Sequence, residues 1–341
     1  MVTRVAVAGA AGYIGGDLIR ILLGHPEVEL VAATSRSLAG RRVDGAHPNL
    51  RGLTDLTFVE PDRLGRCDVL FTAVPHRESM GQLGRFAGLT DLLIDLSGDF
   101  RLRDPEVFEA YYGVAHTAPG ELGSFTPGIP ELHRKELTGA DRISVPGCMA
   151  TAAILALHPA AADGLITGEV TVDARTGSSG SGISAGTENL HAERSGAMRV
   201  FAPHGHRHEA EIAQATGLPV RMTATGVEAV RGVQVLCRVT LADGVDERAL
   251  RAAYRRHYVD EPFVRVVAHK RGRYRYPEPK LLSGSNFCDV GFAVEPESRH
   301  ALLIGALDNL VKGGGGGAVQ AMNVRMGWPE RTGLGFPGLH P

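Results

Sequence analysis

A glycine turn set between the first apolar run and the first helical segment most restricts the folds open to this chain. Residues 4–8 form a short β-branched run and residues 17–23 carry helical spacing. Between them Gly9, Gly12 and Gly15 stand in a G-x-x-G-x-x-G pattern. Glycines at a strand-to-helix junction let the backbone turn tightly and approach a pyrophosphate, which the helix N-terminus then holds. Gly9, Ala10, Ala11, Gly12, Tyr13, Ile14 and Gly15 are therefore the expected cradle of a dinucleotide. The plainer alternative is an ordinary glycine-rich turn, in a chain that holds 44 glycines.

The residues that follow extend this reading. Strand-like runs recur at 28–33, 68–74 and 92–96, separated by helical or loop segments, which predicts a parallel sheet with crossovers. The second run leads into Ser35, Arg36 and Ser37, where an NAD site usually places an acidic residue on the ribose 2′-hydroxyl. Hydroxyls and a guanidinium suit a 2′-phosphate instead, so NADP is the expected cofactor. The other reading makes Arg36, Arg41 and Arg42 a solvated loop. The third run ends at Pro75 and His76, on the carboxyl edge where such sheets bind ligands.

From about residue 169 the pattern changes. Segments 169–174, 221–224, 233–241, 263–268 and 288–294 read as strands with few helices between them, which predicts an antiparallel-rich α+β half. Residues 302–326 read as a helix interrupted at 313–317 by five glycines, each about 1 kcal/mol worse than alanine in a helix. A bend or a close backbone contact is expected there. The Pro- and Gly-rich tail from 327 is expected to lie extended on the surface.

Bulk properties exclude several function classes. A net charge of -2 gives no general attraction to nucleic acid or an anionic membrane. No apolar stretch approaches the roughly 20 residues that span a bilayer. The N-terminus runs straight into the glycine turn and lacks a signal-peptide end, so the expected compartment is the cytoplasm. Cys67, Cys148, Cys237 and Cys288 are widely spaced and form no CxxC pair, which argues against disulfides and structural zinc.

Three of these cysteines sit in or beside apolar runs and read as core. Cys148 differs, because it follows Pro146-Gly147 and precedes small, helix-compatible residues. That places it at a helix N-terminus, where the dipole and the first N–H groups favour a thiolate. The stretch His204-Gly205-His206-Arg207-His208-Glu209-Ala210-Glu211 supplies a partner. His206 is the first choice for the acid/base, with His208 its rival and Glu211 spaced to orient His208. A solvated polar helix start is the alternative. A metal site lacks further ligands, so none is expected. Ser178 and Ser181 lie in a loop that offers hydroxyls and N–H groups to an oxyanion or phosphate, or forms a flexible turn. Arg101 is a further candidate phosphate holder.

The elements GAAGYIGG, DLSGDFRL, VPGCMATAA, GHRHEAEI, GSNFCDVGF and DNLVKG, in this order, resemble the N-acetyl-γ-glutamyl-phosphate reductases, relatives of aspartate-semialdehyde dehydrogenase. Four stretches resemble more closely the branch whose substrate is carried on a small amino-group carrier protein. They are TSRSLAGRRVDGAHPNLRG, HAERSGAMRV, the basic run at 270–276 and the ending MGWPERTGLGFPGLHP. Met149-Ala150 also replaces the Tyr-Pro that usually follows the cysteine in the acetyl branch.

The resemblance implies a fold and a reaction. The fold is α/β, with a Rossmann-type domain at 1–147 completed by 306–341. An α+β catalytic and oligomerisation domain with a mostly antiparallel sheet spans 148–305. Cys148 would be the nucleophile, with help from His206, His208 and Glu211, and Asn309 would lie near the nicotinamide of NADP(H). The reaction would be reduction of an aminoadipyl or glutamyl phosphate to the semialdehyde. Lys270, Arg271, Arg273 and Arg275, with Lys280, would dock an acidic carrier, unless they are a solvated loop. A dimer or tetramer is expected. The alternatives are the N-acetylated substrate, a non-catalytic nucleotide-binding protein and, more distantly, a zinc hydrolase.

Overall fold

The computed structural model describes residues 2–184 and 186–340. The chain divides into two compact units. One holds everything up to Pro146 together with Gly314–Gly335; the other holds Gly147–Gly313 with the residues from Phe336 onward.

Chain order explains the first unit. Strands β1 (Thr3–Ala8), β2 (Val28–Ala33), β3 (Cys67–Thr72) and β4 (Thr90–Asp95) are separated by α1 (Tyr13–Leu23), the short α2 (Val43–Ala46) and α3 (Ser79–Leu89). Then come α4 (Pro105–Tyr112), β5 (Thr126–Pro127), α5 (Pro130–Leu137) and β6 (Arg142–Ser144). The sheet order is β2-β1-β3-β4-β6-β5 and every pairing is parallel. Strand order reverses between β1 and β3, which is where open α/β sheets leave a crevice for a ligand. On β1 and β3 all positions but Arg4 and Asp68 are buried, as strands covered on both faces require.

The second unit begins with α6 (Cys148–Ala162), followed by β7 (Ile166–Thr176), α7 (His191–Arg194), β8 (Arg199–Ala202), α8 (His208–Thr216), β9 (Val220–Gly226) and β10 (Val233–Leu241). It continues through α9 (Glu247–Tyr258), β11 (Val264–Val266), β12 (Cys288–Val294) and β13 (His300–Leu307), before α10 (Gly316–Met326) returns to the first unit. The sheet runs β11-β12-β13-β10-β7-β9-β8, antiparallel except for β11/β12 and β7/β9.

Three local expectations need correction. Residues 302–307 are not helical: they belong to β13, an inner strand between β10 and β12. A short buried apolar run has no periodicity to separate strand from helix. The chain leaves this unit at Gly313/Gly314 and not at residue 306, and the tail from Phe336 groups with the second unit. The strand-dominated reading also omits α9, whose N-terminus is capped by Asp246 Oδ1 accepting from Ala249 N at 2.9 Å.

Helix α6 is buried along nearly its whole length, as a helix apolar on all sides must be. It packs on β10 and β13 and against α8 and α9. Gly305 of β13 permits the approach, since a Cβ there would lie 2.4 Å from Ala152 O. Pro159 interrupts the helix ladder by removing the donor that Leu155 O would have used. Tyr258 Oη donates to that carbonyl at 2.6 Å, and Tyr254 Oη donates to Ala156 O. Tyr258→Phe strands a buried acceptor and is expected to cost about 1–2 kcal/mol. An unchanged unfolding midpoint in urea would refute that account.

Candidate active site

Cys148 is the first residue of α6 and is partly exposed, whereas Cys67, Cys237 and Cys288 are buried. Burial pushes the Cys67 thiol up to about 11 and raises that of Cys237 as well. These two are inert thiols of the core. Only Cys148 combines access with a helix N-terminus.

The residue before it is held from α8. Glu211 Oε2 accepts from Gly147 N at 2.8 Å, and both groups are buried. The His208 ring lies against the same glycine, so closely that a Cβ on Gly147 would fall 1.9 Å from Nε2. His208 Nε2 also stands 3.9 Å from Glu211 Oε1. His206 precedes α8 and meets His208 edge-to-face at 4.4 Å and Phe201 at 5.9 Å. Its Nδ1 accepts from His208 N at 3.2 Å, so in the neutral ring the proton sits on Nε2. Among the described residues no group of three or more His, Cys, Asp and Glu is arranged to hold a metal ion.

Gly313 closes the other side of the nucleophile. A Cβ there would lie 2.5 Å from Cys148 Cβ and 2.9 Å from its Cα. The expected bend and close contact at the glycine run are both present, in a π-helical turn at Val311–Gly315. Asn309 is buried, accepting from Gly232 N at 2.8 Å and donating from Nδ2 to Ser179 Oγ at 2.9 Å. Ser179 Oγ in turn donates to Val230 O at 2.6 Å. Asn309 thus ties three loops together. Ser178 is half-buried and Ser181 exposed in the short 3-10 turn Ser178–Ser181.

In the first unit, Gly9 has φ +74° and a Cβ there would lie 2.6 Å from Ala73 O, in the segment after β3. Gly15 is equally constrained, by Ala10 O at 2.6 Å. Gly12 caps α1 with no side chain, its Cβ position is open, and the first turn of α1 holds no acidic residue. This cradle fits a dinucleotide pyrophosphate, with Ala10, Ala11, Tyr13 and Ile14 completing the turn.

Nearby residues differ in burial and bonding. Ser35 is buried and its Oγ accepts from Leu38 N at 3.2 Å, whereas Arg36 and Ser37 are exposed. Arg36 lies 3.4 Å from Glu78, and Arg42 is engaged by Asp44 and Asp55. The loop after β3, with Pro75, is braced by the DLSGDF stretch. Asp99 accepts from Arg77 N and Met80 N at 2.6 and 2.9 Å, and Gly98 N donates to His76 Nδ1 at 2.8 Å. Arg101 Nη2 donates to Leu96 O at 2.9 Å.

Residues 4–140 match the model described as semialdehyde dehydrogenase, NAD binding domain, and residues 148–309 match semialdehyde dehydrogenase, dimerisation domain. The chain is 47% identical to a putative LysW-L-2-aminoadipate 6-phosphate reductase of Thermomicrobium roseum over the full length of both. It is 44% identical to the LysW-L-2-aminoadipate 6-phosphate reductase of Deinococcus radiodurans, over 99% of this chain and 98% of that one. This chain belongs to the semialdehyde dehydrogenase family.

A Haloquadratum walsbyi protein, a putative LysW-L-2-aminoadipate/LysW-L-glutamate phosphate reductase, is 45% identical over 98% of this chain and 97% of its own. Among solved structures, aspartate semialdehyde dehydrogenase II of Vibrio cholerae shares the fold with TM-score 0.74 at 14% identity, covering 96% of this chain and 98% of that one. Membership makes the chain an oxidoreductase with a nicotinamide dinucleotide site in its first unit.

Three residues escape a reading by residue type. Gly147 and Gly313 act through the side chain they lack, and glycine is too common here to be noticed. Tyr258 serves α6 from 103 positions away. Pro159 inside a helical pattern is the one local sign that a distant donor is needed.

Proposed function

We propose that this protein reduces an aminoadipyl or glutamyl phosphate, presented on a small acidic amino-group carrier protein, to the semialdehyde with NADPH. The observation that carries the reading is Cys148 at the N-terminus of buried α6, with His208 and Glu211 packed on the residue before it. The full-length relatives named for this chemistry support the substrate class.

The Cys148 thiolate attacks the acyl-phosphate carbon, the C–O bond to phosphate breaks, and a thioester forms with release of phosphate. When bound, the nicotinamide dinucleotide supplies the hydride that takes this thioester to a thiohemiacetal oxyanion. The positive end of α6 favours both the thiolate and that oxyanion. His206 exchanges the proton at Nε2, since Nδ1 is committed to His208 N. Collapse of the thiohemiacetal returns the thiolate and frees the aldehyde. His208 and Glu211 position the turn that carries the nucleophile.

The 2′-phosphate reading rests on Ser35, Arg36 and Ser37 just beyond β2, of which Arg36 and Ser37 are exposed and where no acidic residue takes the usual ribose position. The carrier reading rests on Lys270, Arg271, Arg273 and Arg275, with Lys280. All are exposed, and none has a carboxylate partner among the described residues. Unpaired cations on one loop attract an acidic partner through long-range steering. Met198, Val200 and Phe201 are exposed apolar residues on or next to edge strand β8, which supports self-association. Among the described residues no helix is long and apolar enough to cross a membrane.

The reaction run backwards tests the proposal. Phosphate-dependent reduction of NADP+ by carrier-bound aminoadipate or glutamate semialdehyde is expected. Turnover of the N-acetylated aldehyde with no response to the carrier-bound one would sink the carrier reading. A preference for NAD+ would sink the 2′-phosphate reading.

A further inference from the structure

Beyond the 2′-phosphate candidates at its start, the stretch Thr34–Gly52 sends one buried side chain into the cofactor turn. His47 follows α2, with its N–H on Val43 O at 2.9 Å, and its ring is buried. The ring nitrogen Nε2 lies 2.9 Å from Ala10 O. A carbonyl only accepts, so Nε2 carries the proton and donates. Gly16 of α1 gives the ring its space, since a Cβ there would lie 2.6 Å from His47 Nδ1 and 2.7 Å from Cε1. Phe58 packs edge-on at 6.3 Å. The donor is thus held in place by its surroundings.

The peptide that His47 grips is the one that matters. Ala10 N is already tied to Thr34 O at 2.9 Å, and Gly9 N to Thr34 Oγ1 at 3.3 Å. The next peptide, Ala10–Ala11, is planar and trans, so its N–H points opposite to its C=O. Among the described residues Ala11 N has no acceptor. A hydrogen bond on the carbonyl therefore aims the Ala11 N–H away from His47, to the mouth of the glycine turn.

We propose that His47 is a positioning residue for the cofactor. Its Nε2–H holds the Ala10 carbonyl so that the Ala11 N–H faces the dinucleotide pyrophosphate, with Gly16 as the seat of the ring. The inference rests on the dinucleotide reading of the Gly9–Gly15 turn and adds a residue outside it.

Four variants test it: His47→Ala, His47→Gln, Gly16→Ala and the double Gly16→Ala/His47→Ala. Each is titrated with NADPH by its fluorescence and with adenosine 2′-monophosphate, which lacks the pyrophosphate, by calorimetry. His47→Ala and Gly16→Ala are expected to weaken NADPH about tenfold and to leave adenosine 2′-monophosphate within about twofold. His47→Gln keeps a donor and is expected to stay near the wild type. The double variant is expected to be no weaker than His47→Ala alone, because both changes act on one ring. Gly16→Ala keeps the test open should His47→Ala fold poorly, since alanine is the better helix former.

Wild-type affinity for NADPH in Gly16→Ala or His47→Ala would overturn the proposal. Equal loss of both ligands would overturn it too, by showing general damage to the unit. Wild-type protein that binds NADH in place of NADPH would overturn only the 2′-phosphate reading. The same variants would then be compared with NADH and adenosine 5′-monophosphate.

Discussion

Cys148→Ser is expected to lower the forward and reverse reactions by at least about 10³-fold while NADPH still binds. A serine hydroxyl at the same helix N-terminus stays protonated at neutral pH, because the dipole effect is far too small to ionise it. An ester on serine is also a poorer hydride acceptor than a thioester. The other three cysteines offer no bypass: Cys67, Cys237 and Cys288 are buried. Single-turnover release of phosphate from the acyl phosphate reads the first step by itself. A serine variant that released phosphate at the wild-type rate would remove the covalent mechanism.

Gly313→Ala carries the second large effect. The new methyl would sit 2.5 Å from Cys148 Cβ and 3.0 Å from Leu307 Cδ1. The nearest atoms are the stem of the nucleophile at the start of a buried helix, so the clash cannot be relieved by swinging a flexible tip. Either the turn at Val311–Gly315 or the first turn of α6 must move by several tenths of an ångström. A shift approaching 1 Å in the reacting group costs on the order of 10²-fold, so kcat is expected to fall about that far. Overpacking costs about 1–3 kcal/mol of stability as well. If the thermal midpoint fell while kcat stayed at the wild-type value, Gly313 would matter for packing alone.

The two halves were unequally legible. On β1, β2, β3, β10 and β12 the apolar runs end where the strands end or within a few residues. Glycine or proline lies at or near one end of β1, β3 and β10 and helps to mark where those runs stop. The run at 302–307 was not legible as β13, because it continues directly into residues that turn and become α10. Helix α9 was missed because its apolar face is narrow and its surface is crowded with arginines. Only its packing beside α6 shows which face is buried.

The site divides the same way. Cys148 could be singled out by what flanks it, since Pro-Gly before a small-residue helix is a local arrangement. Which partner touches the turn below it was not local. His206 and His208 are two residues apart, and only the fold places the His208 ring on Gly147. Asn309 likewise could be named from DNLVKG, but its bonds to Gly232 and Ser179 are tertiary.

The glycine turn illustrates both sides. Its sequence by itself determined a tight strand-to-helix junction open to a pyrophosphate, because glycine is the residue whose conformational range and lack of a Cβ allow one. Tertiary structure decided what each glycine is for. Gly9 is pressed on Ala73, Gly15 on Ala10, and Gly16 leaves room for an imidazole that grips the Ala10 carbonyl. A missing side chain has meaning only relative to the atoms that fill its place, and those come from residues far away in the chain.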